Sequence, residues 1–220
     1  MFKAKHIFVT AIDTGVGKTL VSAILSKAFN ADYWKPIQAG ELDYSDSQRV
    51  RQLLGTKKST KIHPEAYRLK LAASPHYAAE QEGLEIDIYK IKLPKTENNL
   101  IIEGAGGVLC PINRLYQMRD LILYLQKSSK LSVVLVCKNY LGSISHTLLS
   151  LEALQSQRIN VAGLIFSGES HAASEDYICQ AAQVKIIARI PTLNEVTAKV
   201  IGEYAANINK ENFFGTLGAR

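Results

Sequence analysis

Short apolar runs alternate along the chain with longer stretches in which apolar positions recur every three or four residues. The runs His6–Thr10, Tyr33–Ile37, Leu100–Ile102, Ser132–Cys137, Val161–Phe166 and Lys185–Ala188 predict strands. Most are continuously apolar, as strands covered on both faces are. Helices are expected over 17–29, 45–54, 118–128, 143–157, 173–183 and 196–207. In the fourth of these, Ile144, Thr147, Leu148, Leu151 and Leu154 trace a single buried face. Strand followed by helix, several times over, predicts an α/β fold with a mainly parallel sheet and helices on both faces. One domain over residues 1–220 is expected. The stretch 55–99 breaks the pattern: it holds three of the six prolines and many charges. It reads as a surface excursion with one helix near His76–Glu82, too poor in apolar residues to stand as a domain.

Composition narrows the class. With 47% hydrophobic and 21% charged residues, the 220-residue chain has ample apolar surface to bury, which excludes disorder. Its longest strongly apolar run, Val133–Cys137, is far short of the roughly 20 residues that cross a bilayer. No secretory pattern opens the chain, so a cytoplasmic protein without a membrane role is expected. Lys and Arg outnumber Asp and Glu by 26 to 20, but the bases are scattered (Arg49, Arg51, Lys57, Lys58, Lys61, Arg68, Lys70). With no aromatic-basic motif among them they read as solvated surface, and nucleic-acid binding is not expected. Cys110, Cys137 and Cys179 form no CxxC pair and sit among apolar residues. Free buried thiols are expected, not a disulfide framework or a zinc site.

The chemistry begins at the first strand–helix junction. Ile7-Phe8-Val9-Thr10 runs into Ala11-Ile12-Asp13-Thr14-Gly15-Val16-Gly17-Lys18-Thr19, where Gly-Lys-Thr opens a helix. This is the setting of a phosphate-binding loop. Glycine admits the backbone angles that turn N–H groups onto phosphate oxygens, and the helix start adds its positive dipole end. Lys18 supplies charge to the β- and γ-phosphates, and Thr19 a hydroxyl for Mg²⁺. Ala11 stands where such loops commonly have glycine, so this backbone must avoid left-handed angles. A second signal is Leu100-Ile101-Ile102-Glu103-Gly104-Ala105-Gly106-Gly107, an apolar strand ending in a carboxylate and a flexible turn. Such a carboxylate holds Mg²⁺ in phosphate-loop proteins, or else is a solvated turn residue. Asp46 is either a further oxygen ligand or the cap of the next helix, and by itself reads as the cap.

Taken with Trp34-Lys35-Pro36-Ile37-Gln38-Ala39-Gly40, Ser45-Asp46, Ser74-Pro75-His76, Leu141-Gly142-Ser143 with His146, and Ile190-Pro191, these motifs resemble the dethiobiotin synthetases over nearly the whole chain. The resemblance implies an ATP- and Mg²⁺-dependent homodimeric enzyme that closes 7,8-diaminopelargonic acid with CO₂ into a cyclic urea. Lys35, Lys18 and Thr14 would be catalytic, with Thr14, Lys35 and Ala39 meeting the substrate. ATP would lie on Asp13, Gly15, Val16, Gly17, Lys18, Thr19, Asp46, Glu103, Gly104, Ala105, Gly106, Ser167 and Pro191. Thr19, Asp46 and Glu103 would surround the metal, which raises Asp46 above the cap reading. Read without the resemblance, Lys35 is an ordinary surface lysine after a strand.

Four positions depart from the family pattern. Ala39 lacks the usual substrate-facing hydroxyl, and Gly15 replaces a common Glu. Ser167 stands where an Asn commonly reads adenine, and serine cannot make the paired amide contact. Ser145 stands where a partner subunit's Asn often meets the substrate carboxylate. Two rival readings share the loop. A partitioning or septum-site ATPase switch usually carries a second lysine at the position of Asp13. A cobyrinate-type amidotransferase would need a glutaminase domain, for which 220 residues leave no room.

Overall fold

A computed structural model describes residues 5–55 and 60–213; Lys57 and Lys58, two of the scattered bases, lie outside them. The chain runs β1 (His6–Ala11), α1 (Lys18–Phe29), β2 (Asp32–Trp34), β3 (Ile37–Ala39), α2 (Asp46–Leu54), β4 (Ile62–His63), β5 (Tyr67–Leu69) and α3 (Pro75–Gln81). It continues with β6 (Leu100–Glu103), α4 (Met118–Gln126), β7 (Leu131–Cys137), α5 (Ser143–Gln155), β8 (Val161–Ser167), α6 (Ala172–Ala182), β9 (Ile186–Ile190) and α7 (Ala198–Ala206). Seven strands form one sheet in the order β4-β2-β6-β1-β7-β8-β9, and every pairing in it is parallel.

Alternation along the strands divides the core in two. Ile7, Val9, Ile101, Val134 and Val136 pack on the side of α1, α2 and α7. Phe8, Ile102, Val133 and Leu135 pack on the side of α4, α5 and α6. Both faces are therefore covered, which explains why these strands read as continuous apolar runs.

The run Tyr33–Ile37 does not form one strand. It breaks at Lys35-Pro36, where proline offers no N–H to a ladder. The Pro36 carbonyl instead accepts Ala66 N–H at 2.8 Å and Tyr67 N–H at 3.0 Å. Beyond the break, β3 pairs with β5 in a separate two-stranded sheet. The excursion 55–99 thus carries more order than its composition indicates: β4 on the sheet edge, β5, and α3 one residue before its expected start. It also buries Leu69, Ala78, Ala79, Ile86, Ile88 and Ile91.

Asp32 fastens this excursion to the sheet. Its fully buried carboxylate accepts Lys61 N–H at 2.9 Å, Thr96 Oγ1 at 2.7 Å and Asn98 Nδ2 at 3.0 Å, and meets His63 Nε2 at 2.9 Å. Burial alone would raise the Asp32 pKa, but these hydrogen bonds outweigh it and hold the group below its ordinary value. Its stabilisation is therefore complete above the unfolded pKa near 3.9 and is lost as pH falls through the lower folded value. Asp32→Ala should lower stability by about 3 kcal/mol at neutral pH by removing the buried acceptor that these groups share. Urea unfolding at neutral and acid pH should show the gap closing as the medium is acidified.

Candidate functional site

The carboxyl ends of β1, β2 and β6 open into a cleft of about 940 Å³, beside the point where the neighbouring strands β1 and β6 send their following helices, α1 and α4, to opposite faces of the sheet. This is where open parallel sheets bind ligands. Thr14, Gly15, Gly17, Lys18 and Thr19 line one side. Gly15 and Gly17 adopt φ of 73° and 98°. At Gly17 a side chain is excluded twice, because its Cβ would fall 2.6 Å from Ser167 Oγ. Ala11 has no such demand on it: it ends β1 in the extended ladder, fully buried.

Lys18, only 7% exposed, turns back over the loop and donates to the Asp13 carbonyl at 3.0 Å. Burial lowers its pKa; Glu103 opposes the shift and Lys35 adds to it. Opposite the loop, three elements bring oxygen to one point. Thr19 Oγ1, on the first turn of α1, lies 2.8 Å from Asp46 Oδ1 and 3.0 Å from Glu103 Oε1. Lys35 Nζ donates to Asp46 Oδ2 and, at 3.1 Å, to Glu103 Oε1. Burial works against the charge on Lys35, but the carboxylates of Glu103 and Asp46 outweigh it and raise its pKa. Burial likewise disfavours the Asp46 carboxylate, yet Lys35 reverses the sign and holds the group below the ordinary aspartate value.

These placements overturn the isolated readings of Lys35 and Asp46 and remove one of the two open for Glu103. Glu103 is fully buried at the last position of β6, not a solvated turn residue. Lys35 is 6% exposed, not a surface lysine. Asp46 does not cap α2; Ser45 does, and its N–H donates to Gln48 Oε1 at 2.6 Å. A hydroxyl and two carboxylates form a hard-oxygen set that fits Mg²⁺, which takes few protein ligands and completes its shell with water and phosphate.

A protein-family profile described as an AAA domain matches residues 5–200. The ATP-dependent dethiobiotin synthetase BioD of Christiangramia forsetii is 46% identical over 94% of this chain and 97% of its own length. The protein of the same name from Cytophaga hutchinsonii is 47% identical over 93% and 97%. The chain belongs to the dethiobiotin synthetase family. Solved structures agree at the level of fold alone. A ParA family ATPase from Chlorobium tepidum aligns with a TM-score of 0.58 at 12% identity, covering 93% of this chain and all of that one. The MinD cell division protein of Aquifex aeolicus aligns at 0.52 and 14%, covering 93% and 96%. The switch reading has the fold in its favour and nothing more.

Of the remaining positions singled out by the dethiobiotin synthetase resemblance, Ala39, Ala105 and Gly106 line the cleft. Val16 is buried against the core, and Gly104 lies where an added Cβ would come 3.0 Å from the Phe8 ring. Ser167 ends β8 against Gly17, and the exposed Pro191 directly follows β9. Only Cys137 meets the expectation of a buried thiol, its pKa pushed up by burial to about 12; Cys179 is half-buried, and Cys110 is half-buried and lines the cleft.

Two polar anchors escaped sequence reasoning. Tyr33 reads as a core aromatic in an apolar run, yet its phenol donates to Glu103 Oε2 at 2.9 Å. Glu175 reads as one more helix-surface charge. It is fully buried and accepts from Asn139 Nδ2 at 2.8 Å, Ser170 Oγ at 2.9 Å, His171 N at 3.1 Å and Arg189 Nε at 2.6 Å. It thereby ties together the segments at the ends of β7, β8 and β9. Tyr33 leaves no mark in local spacing, because Glu103 is 70 positions away; Glu175 takes two donors from just ahead of α6, but Asn139 and Arg189 reach it only through the fold.

Proposed function

We propose that this chain is an ATP- and Mg²⁺-dependent dethiobiotin synthetase that joins CO₂ to 7,8-diaminopelargonic acid and closes the cyclic urea. The observation that carries the reading is the meeting of Thr19, Lys35, Asp46 and Glu103 beside the phosphate loop. One amine of the substrate takes up CO₂ as a carbamate. A carbamate oxygen then attacks the γ-phosphorus, and ADP leaves. The second amine attacks the carbon of the resulting carbamic–phosphoric anhydride, the C–O bond to phosphate breaks, and inorganic phosphate carries the electron pair away.

Both reactants of the phosphoryl step are anions, so positioned positive charge is what they require. In this reading the loop amides and Lys18 hold the β- and γ-phosphates. Lys35, at the corner between β2 and β3, bridges the γ-phosphate and the carbamate, and Thr14 donates to one of them. Asp13, Gly15, Val16, Gly17 and the Gly104–Gly106 turn shape the nucleotide site, with Ser167 and Pro191 toward the base. Ala39 lines the substrate side without a hydroxyl of its own. Thr19, Asp46 and Glu103 would hold Mg²⁺, which neutralises phosphate charge when bound.

We read the chain as a single domain that works as a homodimer in the cytoplasm. The fully exposed Leu141 and the exposed Leu149 on α5 are side chains a second copy would cover, and no helix among the described residues is long and apolar enough to cross a membrane. Incubation with ATP, Mg²⁺, bicarbonate and diaminopelargonate, followed by mass spectrometry, tests the activity; absence of the cyclised product would refute it. Because Ser167 offers no amide to adenine, turnover with ATP, GTP and CTP should differ by less than about a hundredfold, equivalent to about 2.7 kcal/mol. Competition kinetics among the three nucleotides checks this.

A further inference from the structure

Glu103 faces the cleft with one oxygen only. Oε1 accepts from Thr19 and Lys35, while Oε2 accepts the Tyr33 phenol at 2.9 Å. The register explains how they meet. Tyr33 of β2 pairs with Ile101 of β6, and Glu103 is two residues further along, so all three side chains stand on the same face of the sheet. That face is covered by α1, the helix that carries Thr19. The phenol therefore reaches forward under the carboxylate from the side opposite the cleft. Both residues are fully buried, and water does not compete for the contact.

A carboxylate held at one oxygen remains free to turn about its last torsion, whose wells are broad. A donor on the other oxygen fixes the plane. The direction of the bond follows from the groups themselves: the phenol O–H is the donor and the carboxylate oxygen the acceptor. Phenylalanine would fill the same space, so packing does not call for the hydroxyl.

We propose that Tyr33 is a positioning residue for the divalent metal: it occupies Glu103 Oε2 and turns Oε1 toward Thr19 and Asp46. This rests on the reading of Glu103 as a metal ligand. Outer partners of this kind typically contribute about 10- to 100-fold in metal affinity. The test is Mn²⁺ binding, followed by electron paramagnetic resonance, to the full chain saturated with a non-hydrolysable ATP analogue. Tyr33→Phe should weaken Mn²⁺ binding by about 10-fold and leave metal-free nucleotide affinity within about twofold of wild type. In turnover, the Mg²⁺ concentration for half-maximal rate should rise while the rate at saturating Mg²⁺ recovers. In a Glu103→Gln background the same substitution should have no further effect. Circular dichroism establishes that the variants are folded. Wild-type Mn²⁺ affinity in folded Tyr33→Phe would overturn the proposal, as would an equal loss in the Glu103→Gln background. Wild-type Mn²⁺ affinity in Glu103→Gln alone would overturn the ligand assignment and the proposal with it. Absence of cyclised product from the wild-type protein, with the Mn²⁺ results as expected, would refute the synthetase reading alone.

Discussion

Lys18→Ala should reduce cyclisation by about 1,000-fold or more, the upper range for loss of a preorganised charge contact in a site shielded from water. Lys18 is 7% exposed and already lies across the loop, donating to the Asp13 carbonyl at 3.0 Å. Its ammonium is thus held where the β- and γ-phosphates would sit, and no other cation of the cleft emerges from the loop itself. The substitution removes charge from the leaving and transferred phosphoryl groups together, so ATP affinity and turnover should both fall. Calorimetric titration with ATP and mass spectrometry of the product measure the two. Turnover near the wild-type value would refute the phosphate-loop assignment.

Lys35→Gln should separate the same two quantities. The loop amides and Lys18 remain, so ATP affinity should stay within a few-fold of wild type. Cyclisation should fall by at least about 100-fold, the scale expected when one preorganised electrostatic contact is lost. The distinction follows from position: Lys35 lies beyond the loop, at the break between β2 and β3, and is held between Asp46 and Glu103. A nucleotide switch needs no cation there, whereas a synthetase must bring a carbamate against the γ-phosphate. The glutamine amide keeps a hydrogen-bond donor at this position but no charge, so circular dichroism should accompany the assay to show that the variant is folded. Survival of both activities would return Lys35 to a structural role, and collapse of both would make it a nucleotide-binding residue. Only selective loss of product supports the bridge.

What the sequence determined by itself is what depends on neighbouring residues. The apolar run of β1, the glycines at positions 15 and 17, and Lys18-Thr19 opening α1 are contiguous, and their backbone conformations follow from their own side chains. The alternation of strand and helix made the parallel, doubly covered sheet legible in the same way. Only the tertiary structure decided the rest. Thr19 meets Glu103 across 84 positions and Asp46 across 27, and Tyr33 meets Glu103 across 70. Taken alone, Asp46 reads as a cap, Lys35 as a solvated lysine and Tyr33 as core. Each role changes because strand order sets β1, β2 and β6 side by side, and burial then forces their polar groups to satisfy one another. The break at Lys35-Pro36 shows both parts: proline marks it locally, but the two-stranded sheet that receives the chain beyond it exists only through β5, drawn from the segment whose composition looked least able to fold.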